Sequence, residues 1–404
     1  MTITIERLGH QGDGIATGPV FVPMTLPGEV VEGDSENGRI AAPKIITPSP
    51  DRVSPPCRHF KSCGGCALQH ASDAFVQNWK ADVVRVALAA HGLDVPINPA
   101  RTSPAKSRRR ASLSGRRTKK GAIVGFHGRA SGAIVEIPDC QLLQPELMNT
   151  IPALQELTVL GASRKGEISL SVTRSENGAD VIVTGGKPVD ATLHATLAAL
   201  AARHGFARLT WDDELIAGRN PPIQHFGSAA VVPPPGAFLQ ATKQGELALL
   251  DAVKRAIGTP THVADLFSGC GTFGLPLAVN SEIHCIEADA SMLQALDQGW
   301  RNAAGLKMVT TEVRDLFRRP LMPDELKKYD AIVIDPPRAG AQAQFEHLAN
   351  SNVPKIAAVS CNPVTFARDA QLLANAGYRI DWVDVVDQFR WSSHVELVAA
   401  FTKV

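Results

Sequence analysis

From Gly236 to the C-terminus, strand-length apolar runs alternate with stretches of helical period: THVADLF, EIHCIEAD, KMVTTEV, YDAIVID, KIAAVSC, YRIDWVDVV and VELVAAFT. No other feature of the chain restricts its fold so strongly. Successive strands can lie parallel only if a crossover, usually a helix, returns the chain to the same end of the sheet. The pattern therefore predicts an α/β region with a mostly parallel, doubly wound sheet. Ligands of such sheets bind outside the carboxyl ends of the strands. The residues that close each run are the first candidates for chemistry.

DLFSGCGTFG, Asp265 to Gly274, follows the first run, and Gly269, Gly271 and Gly274 match G-x-G-x-x-G. Such glycines let the backbone turn tightly and approach a ligand. Glu287 closes the second run, where a carboxylate accepts hydrogen bonds from both hydroxyls of a ribose. These features fit an NAD-dependent oxidoreductase and an S-adenosylmethionine-dependent methyltransferase equally well. Asp335-Pro336-Pro337-Arg338 closes the fourth run and favours the methyltransferase, because a rigid turn there offers carbonyls and a carboxylate to a planar base. Methyltransferases of amino groups usually place an aromatic residue after the two prolines; Arg338 points away from that chemistry.

VSCNPVTF places Cys361 between the fifth run and a helix capped by Asn362 and opened by Pro363. Helix-terminal amides lower a thiol's pKa, which makes Cys361 a candidate nucleophile. The plainer alternative is a buried structural cysteine. Glu396 stands inside an apolar run, Val395 to Val398, where desolvation would raise its pKa towards that of a useful base. Its plainer alternative is a solvated carboxylate on an edge strand.

The rest of the chain divides by texture. Residues 1–52 alternate glycine-rich turns with short β-type runs, which predicts a small β-barrel. Residues 53–235 begin with a cysteine cluster and an amphipathic helix from about Ala74 to His91. A β-rich stretch follows, with a hairpin of Gly166–Arg174 and Ala179–Gly185 turned at SENG. Pro233, Pro234 and Pro235 mark the boundary with the 236–404 domain. The N-terminus has no signal-peptide core, no run is long enough to span a membrane, and the cysteine spacing is not that of a secreted scaffold. A reducing cytoplasm is the expected home, and a monomer the simplest state.

Cys57, Cys63 and Cys66 are closely spaced around Gly64-Gly65, and Cys140 is the expected fourth thiol. Four thiolates suit zinc or an iron–sulfur cluster, and the spacing does not decide between them. His59 and His70 are alternative ligands, and reduced thiols without metal the plainest alternative. With a net charge of +1, any nucleic-acid signal must be local. Arg101 to Lys120 contains nine basic residues and no acidic one, which reads as a phosphate-binding surface. Phe126 and His127, just beyond it, are candidates for stacking on a base.

Three stretches together, DLFSGCGTFGLPLA, VIDPPRAG and VSCNPVTFARDA, resemble the S-adenosylmethionine-dependent RNA 5-methyluridine methyltransferases. The similarity extends to SSHVELVAAF, FLQATKQGE and CRHFKSCGGCALQHA. LGHQGDGIA with FVPMTLPGEVVEG is similar to a TRAM domain. The resemblance implies a Rossmann-like class I methyltransferase domain, with S-adenosylmethionine contacts from Gln240, Phe267, Glu287, Asp315 and Asp335. Thr272 joins that set although many members have Asn there. It implies Cys361 as nucleophile towards carbon 6 of uracil and Glu396 as the base that removes the proton at carbon 5. It implies a [4Fe–4S] cluster rather than zinc on Cys57, Cys63, Cys66 and Cys140. RNA is the implied partner, ribosomal (23S) ahead of transfer RNA, with the uridine leaving its stack to reach Cys361. A non-catalytic RNA-binding iron–sulfur protein is the third class weighed; keeping both Cys361 and Glu396 argues against it.

Overall fold

The computed structural model describes residues 1–404. The seven apolar runs are strands β1 (His262–Leu266), β2 (Glu282–Glu287), β3 (Val309–Val313), β4 (Ala331–Ile334), β5 (Lys355–Ser360), β6 (Tyr378–Asp387) and β7 (Glu396–Lys403). They stand in the order 3-2-1-4-5-7-6, with β7 antiparallel to both of its neighbours. The order reverses between β1 and β4, whose carboxyl ends therefore open a crevice. Every residue of β4 is buried, as expected for a strand with helices on both faces. One face packs Leu266, Ile334, Phe366 and Leu397; the other packs Val263, Val333, Val359 and Leu249. Each such side chain contributes about 1.5–3 kcal/mol by burial, so the crevice is built on a rigid platform.

Segments from before residue 236 complete this body. The predicted amphipathic helix runs from Asp73 to Ala89, and the Ser72 hydroxyl accepts from the Phe75 N–H at 3.2 Å as its cap. Its Val84 and Leu88 enter the same core as Phe366 and Val383. Arg101–Thr102 adds a short parallel strand beside β6. The hairpin Gln224–Phe226 and Ala229–Val231 precedes the proline boundary, yet it buries Phe226 and Val231 in the core on the opposite face of the sheet. Composition changes at Pro233; packing does not break there.

The central sheet has seven strands, in spatial order Ile134–Glu136, Ala122–His127, Arg110–Arg117, Glu167–Ser175, Gly178–Thr184, Arg208–Trp211 and Glu214–Ala217. The hairpin expected at SENG forms with Ser175 opposite Gly178. Two helices, Ile151–Gly161 and Ala191–Arg203, pack Leu154, Leu157, Leu197 and Leu200 into a core with Leu170, Val172 and Val181. A β-rich expectation thus describes the sheet and omits its cover. The first 52 residues form two three-stranded sheets around Ile5, Ala16, Val22, Val31 and Ile40. No helix is long and apolar enough to cross a membrane.

Candidate active site

The crevice at the carboxyl ends of β1 and β4 holds a cavity of about 550 Å³. Gln240, Phe267, Thr272, Glu287, Asp315, Asp335, Cys361 and Glu396 all line it. Their positions follow from local rules. Asp265, at the end of β1, accepts the Gly274 N–H at 2.8 Å and anchors the glycine loop from below. A Cβ on Gly274 would come within 2.7 Å of Cys285 Sγ, so this helix start and β2 approach only through glycine. Gly269, at φ +54°, turns its N–H onto Glu287 Oε2 at 3.1 Å. Phe267 also has positive φ, a strain of order 1–3 kcal/mol for a side chain of this size. That turn sets its ring against Phe317, with centroids 5.4 Å apart, to form an aromatic wall beside Glu287.

The two motifs on β4 and β5 lock each other. The Arg338 carbonyl accepts from Asn362 Nδ2 at 3.0 Å and from the Thr365 hydroxyl at 3.1 Å. Asp369 accepts the Ala341 N–H at 2.9 Å. Asn, Thr and Asp of CNPVTFARD therefore hold the Asp-Pro-Pro turn against Cys361. Asn362 also caps the helix, its Oδ1 accepting the Val364 N–H at 3.1 Å. Glu396 opens β7 opposite Val386 and is 5% exposed, which excludes a solvated edge carboxylate.

Burial sets the electrostatics. It pushes Glu396 up to about 8, helped by the charge of Asp335 and opposed by Gln388 and Lys80. Burial alone raises Asp335 to about 7. The Cys361 thiol is pushed up to about 11 by burial and then by Glu396 and Asp335; Arg338 and a backbone N–H oppose this without reversing it. The lowered thiol expected from the helix terminus is therefore not what the free protein has. Desolvation and two carboxyls outweigh the amide dipoles.

Phe238, Phe389 and His394 line the same cavity and were not expected from the sequence. The Arg110 guanidinium lies 5.1 Å from the Phe238 ring and Arg108 lies 5.5 Å from Phe389. Both arginines belong to the 101–120 run, which is not one phosphate-binding surface. Arg109 is buried, donating to the Gln240 carbonyl at 2.9 Å and pairing with Glu246. Arg101 pairs with Asp251 and Asp384, and Arg116 with Glu167. Lys106, Lys119 and Lys120 remain exposed. Phe126 faces the cysteines and His127 bonds Glu167 at 2.6 Å, so neither forms the expected base platform. The missed signal was DQFRWSSHVE, an aromatic and a histidine just before the buried glutamate.

Cys57, Cys63, Cys66 and Cys140 line a second, small cavity with Phe60 and Phe126. Burial pushes Cys66 up to about 12, and the three other thiols add to the shift. Crowded, desolvated sulfurs of this kind are a donor set that a cationic centre would relieve. No three His, Cys, Asp or Glu side chains stand together as a site for a single metal ion. Of the alternative ligands, His59 lines the cavity but bonds Asp139 at 2.9 Å, and His70 lies outside it, tilted against Phe60 with ring centroids 5.7 Å apart.

Sheet order and cavity together define a class I S-adenosylmethionine-dependent methyltransferase fold. Residues 236–404 match the family described as tRNA (Uracil-5-)-methyltransferase. An uncharacterized RNA methyltransferase of Brucella suis biovar 1 (strain 1330) is 45% identical over 99% of this chain and 97% of its own length. The 23S rRNA (uracil(1939)-C(5))-methyltransferase RlmD of Halomonas elongata is 31% identical over 98% of this chain and 88% of its own. Among solved structures, the Pyrococcus abyssi tRNA (uracil-54, C5)-methyltransferase with S-adenosyl-L-homocysteine superposes with a TM-score of 0.77. That match covers 100% of this chain and 99% of that one at 23% identity, and it shows the shared fold. The chain belongs to the RNA uracil-C5 methyltransferase family. An NAD-dependent oxidoreductase is set aside.

The cavity's raised carboxyls give donor binding a pH signature. A sulfonium cation favours Asp335 and Glu396 as carboxylates, so binding it below their free values of about 7 and 8 releases protons. S-adenosylmethionine affinity should fall by up to about tenfold per unit for each carboxyl that must give up its proton, so most steeply below about 7, where both count. S-adenosylhomocysteine, which lacks the charge, should respond less. Calorimetry of both ligands across pH checks this; parallel curves would contradict it.

Proposed function

We propose that this enzyme methylates carbon 5 of a uridine in 23S ribosomal RNA through a transient bond between Cys361 and carbon 6 of the base. The observation that carries the proposal is the meeting of Cys361, Glu396 and Asp335 on one cavity. Carbon 5 of uracil is a poor nucleophile. The Cys361 thiolate, its proton released to solvent, adds at carbon 6 and turns the ring into an enolate, whose carbon 5 then attacks the donor methyl group as the methyl–sulfur bond breaks and S-adenosylhomocysteine leaves. Glu396 next removes the proton at carbon 5, and the thiolate leaves as the ring double bond returns. Phe267, Glu287, Asp315, Asp335, Gln240 and Thr272 hold the donor in this scheme, with the Phe267–Phe317 wall suited to adenine and Glu287 to the ribose. S-adenosylmethionine supplies the methyl group, and its positive charge favours the Cys361 thiolate. Alignment of sulfur, ring and methyl group accounts for up to ~7–11 kcal/mol of the barrier.

Ribosomal RNA is preferred because the relative named for 23S rRNA is similar over nearly the whole chain. Transfer RNA is the second reading; the structural likeness at 23% identity speaks only for the fold. The paired three-stranded sheets of residues 1–52 support a TRAM-like role in gripping RNA. A monomer is the simplest state for this reading, and seven cysteines with no disulfide among them suit the cytoplasm. A [4Fe–4S] cluster on Cys57, Cys63, Cys66 and Cys140, rather than zinc, is what the family resemblance favours, and the gathering of the four thiols on one cavity supports a bound centre. Its structural role follows from the next residues: the Ala67 and Leu68 N–H groups donate to the Trp391 carbonyl at 2.7 and 2.9 Å, on the turn that carries Phe389 and His394. The cluster's own chemistry when bound is to tie four thiolates together.

Glu396→Gln should slow turnover about 10²–10⁴-fold and accumulate a covalent RNA–protein complex on a 23S rRNA transcript, seen as a denaturing gel shift. Cys361→Ala should abolish both methylation and complex while still binding S-adenosylmethionine. A complex with tRNA alone would overturn the substrate assignment, and none with either RNA would overturn the covalent route. For the cluster, anaerobically isolated protein should carry iron and sulfide with visible absorption, both lost in Cys66→Ser. Protein isolated that way with zinc and no sulfide would contradict it.

A further inference from the structure

An ion pair lies behind the cavity that the steps above do not use. Lys80, on the helix Asp73–Ala89, is fully buried and donates from Nζ to Asp387 Oδ1 at 2.6 Å and to the Phe389 carbonyl at 3.4 Å. Asp387 is fully buried too. It ends β6, next to Val386, the residue in register with Glu396. Gln388 follows directly. Its side-chain amide stands beside Glu396 and favours the carboxylate, donates to Gln240 Oε1 at 2.5 Å, and accepts the Ala241 N–H at 2.7 Å. Phe389 and His394, on the same turn, face the cavity.

Fold stability alone does not account for this pair. Two charges taken fully out of water hold a structure no better than well-packed apolar side chains of the same volume. What apolar side chains lack is charge. The charged and titratable groups around Glu396 come from every neighbouring element: Asp335 from β4, Cys361 from the end of β5, Asp387 from β6 and Lys80 from the helix. Arg338 and His394 line the same cavity, and burial beside Arg338, Lys80 and Arg108 keeps His394 towards its neutral form. Lys80 is thus the cation that opposes the acidic groups at Glu396.

We propose that the Lys80–Asp387 pair is a positioning element for removal of the carbon-5 proton. It anchors the turn that sets Gln388 beside Glu396, and it supplies a positive charge that favours the Glu396 carboxylate. This rests on the covalent reading above. Lys80 does not line the cavity and acts through Glu396. Removing the amine leaves Asp387 either as an unpaired anion or protonated; both withdraw the compensating positive charge from Glu396.

The test uses the full chain with S-adenosylmethionine and a 23S rRNA transcript. Lys80→Met should accumulate the covalent complex on unmodified uridine, as Glu396→Gln does. It should also move the midpoint of the kcat–pH profile up by about one unit, a tenfold loss of carboxylate below that midpoint. Lys80→Arg should restore the wild-type profile. Asp387→Asn keeps the shape and leaves the amine uncompensated, so its midpoint should move down. If Lys80→Met does not fold, the isosteric Asp387→Asn decides. Unshifted profiles without accumulated complex would overturn the proposal and leave a purely structural pair. A wild-type enzyme that forms no complex with 5-fluorouridine RNA would instead remove the covalent reading beneath it.

Discussion

Exclusion of water from one edge of a parallel sheet is the constraint on which the rest depends. Asp265, Asp335 and Glu396 stand at the ends of strands in the buried sheet, and burial is the largest cause of each raised carboxyl. The same desolvation holds the Cys361 thiol protonated in the free protein. Such a site is poised and not yet ionised. A cationic donor is the partner that would shift all of these groups towards their charged forms at once.

The second constraint is attachment. The 236–404 domain supplies every residue that lines the cavity, but the outer rings Phe238 and Phe389 are held in place from elsewhere. Arg108 and Arg110 reach from the central sheet onto Phe389 and Phe238, while buried Arg109 ties that sheet to Gln240 and Glu246. The cysteine-bearing segment holds the Trp391 carbonyl, and Trp391 itself sits at φ +60°, a conformation an aromatic residue keeps only when its surroundings enforce it. Three parts of the chain thus converge on the turn between β6 and β7. The auxiliary regions are structural parts of the active site as well as candidate RNA grips.

Much of this was legible in the sequence because period and punctuation carry it. The seven strands, the Asn362 cap, the Ser175–Gly178 turn and the helix ending near His91 all follow from local rules. The gathering of the eight expected donor and catalytic positions on one cavity was legible only through motif resemblance, since no local rule brings Gln240 beside Glu396. Other features were not legible because they are long-range. Lys80 looks like an ordinary helix lysine until Asp387 is placed against it. The basic run reads as one surface, yet its members go to three different environments according to which carboxylate or ring lies across the interface. The thiol's raised pKa comes first from burial and then from two carboxyls far away in sequence.

The central claim is a carbon–sulfur bond made by one cysteine. Incubating the enzyme with S-adenosylmethionine and 5-fluorouridine-substituted 23S rRNA, digesting the complex and mapping it by tandem mass spectrometry tests it most directly. A methylated fluorouridine is expected on the peptide containing Cys361 and on no other cysteine. An unmodified Cys361 peptide, or a nucleotide attached to one of the other six thiols, would contradict it.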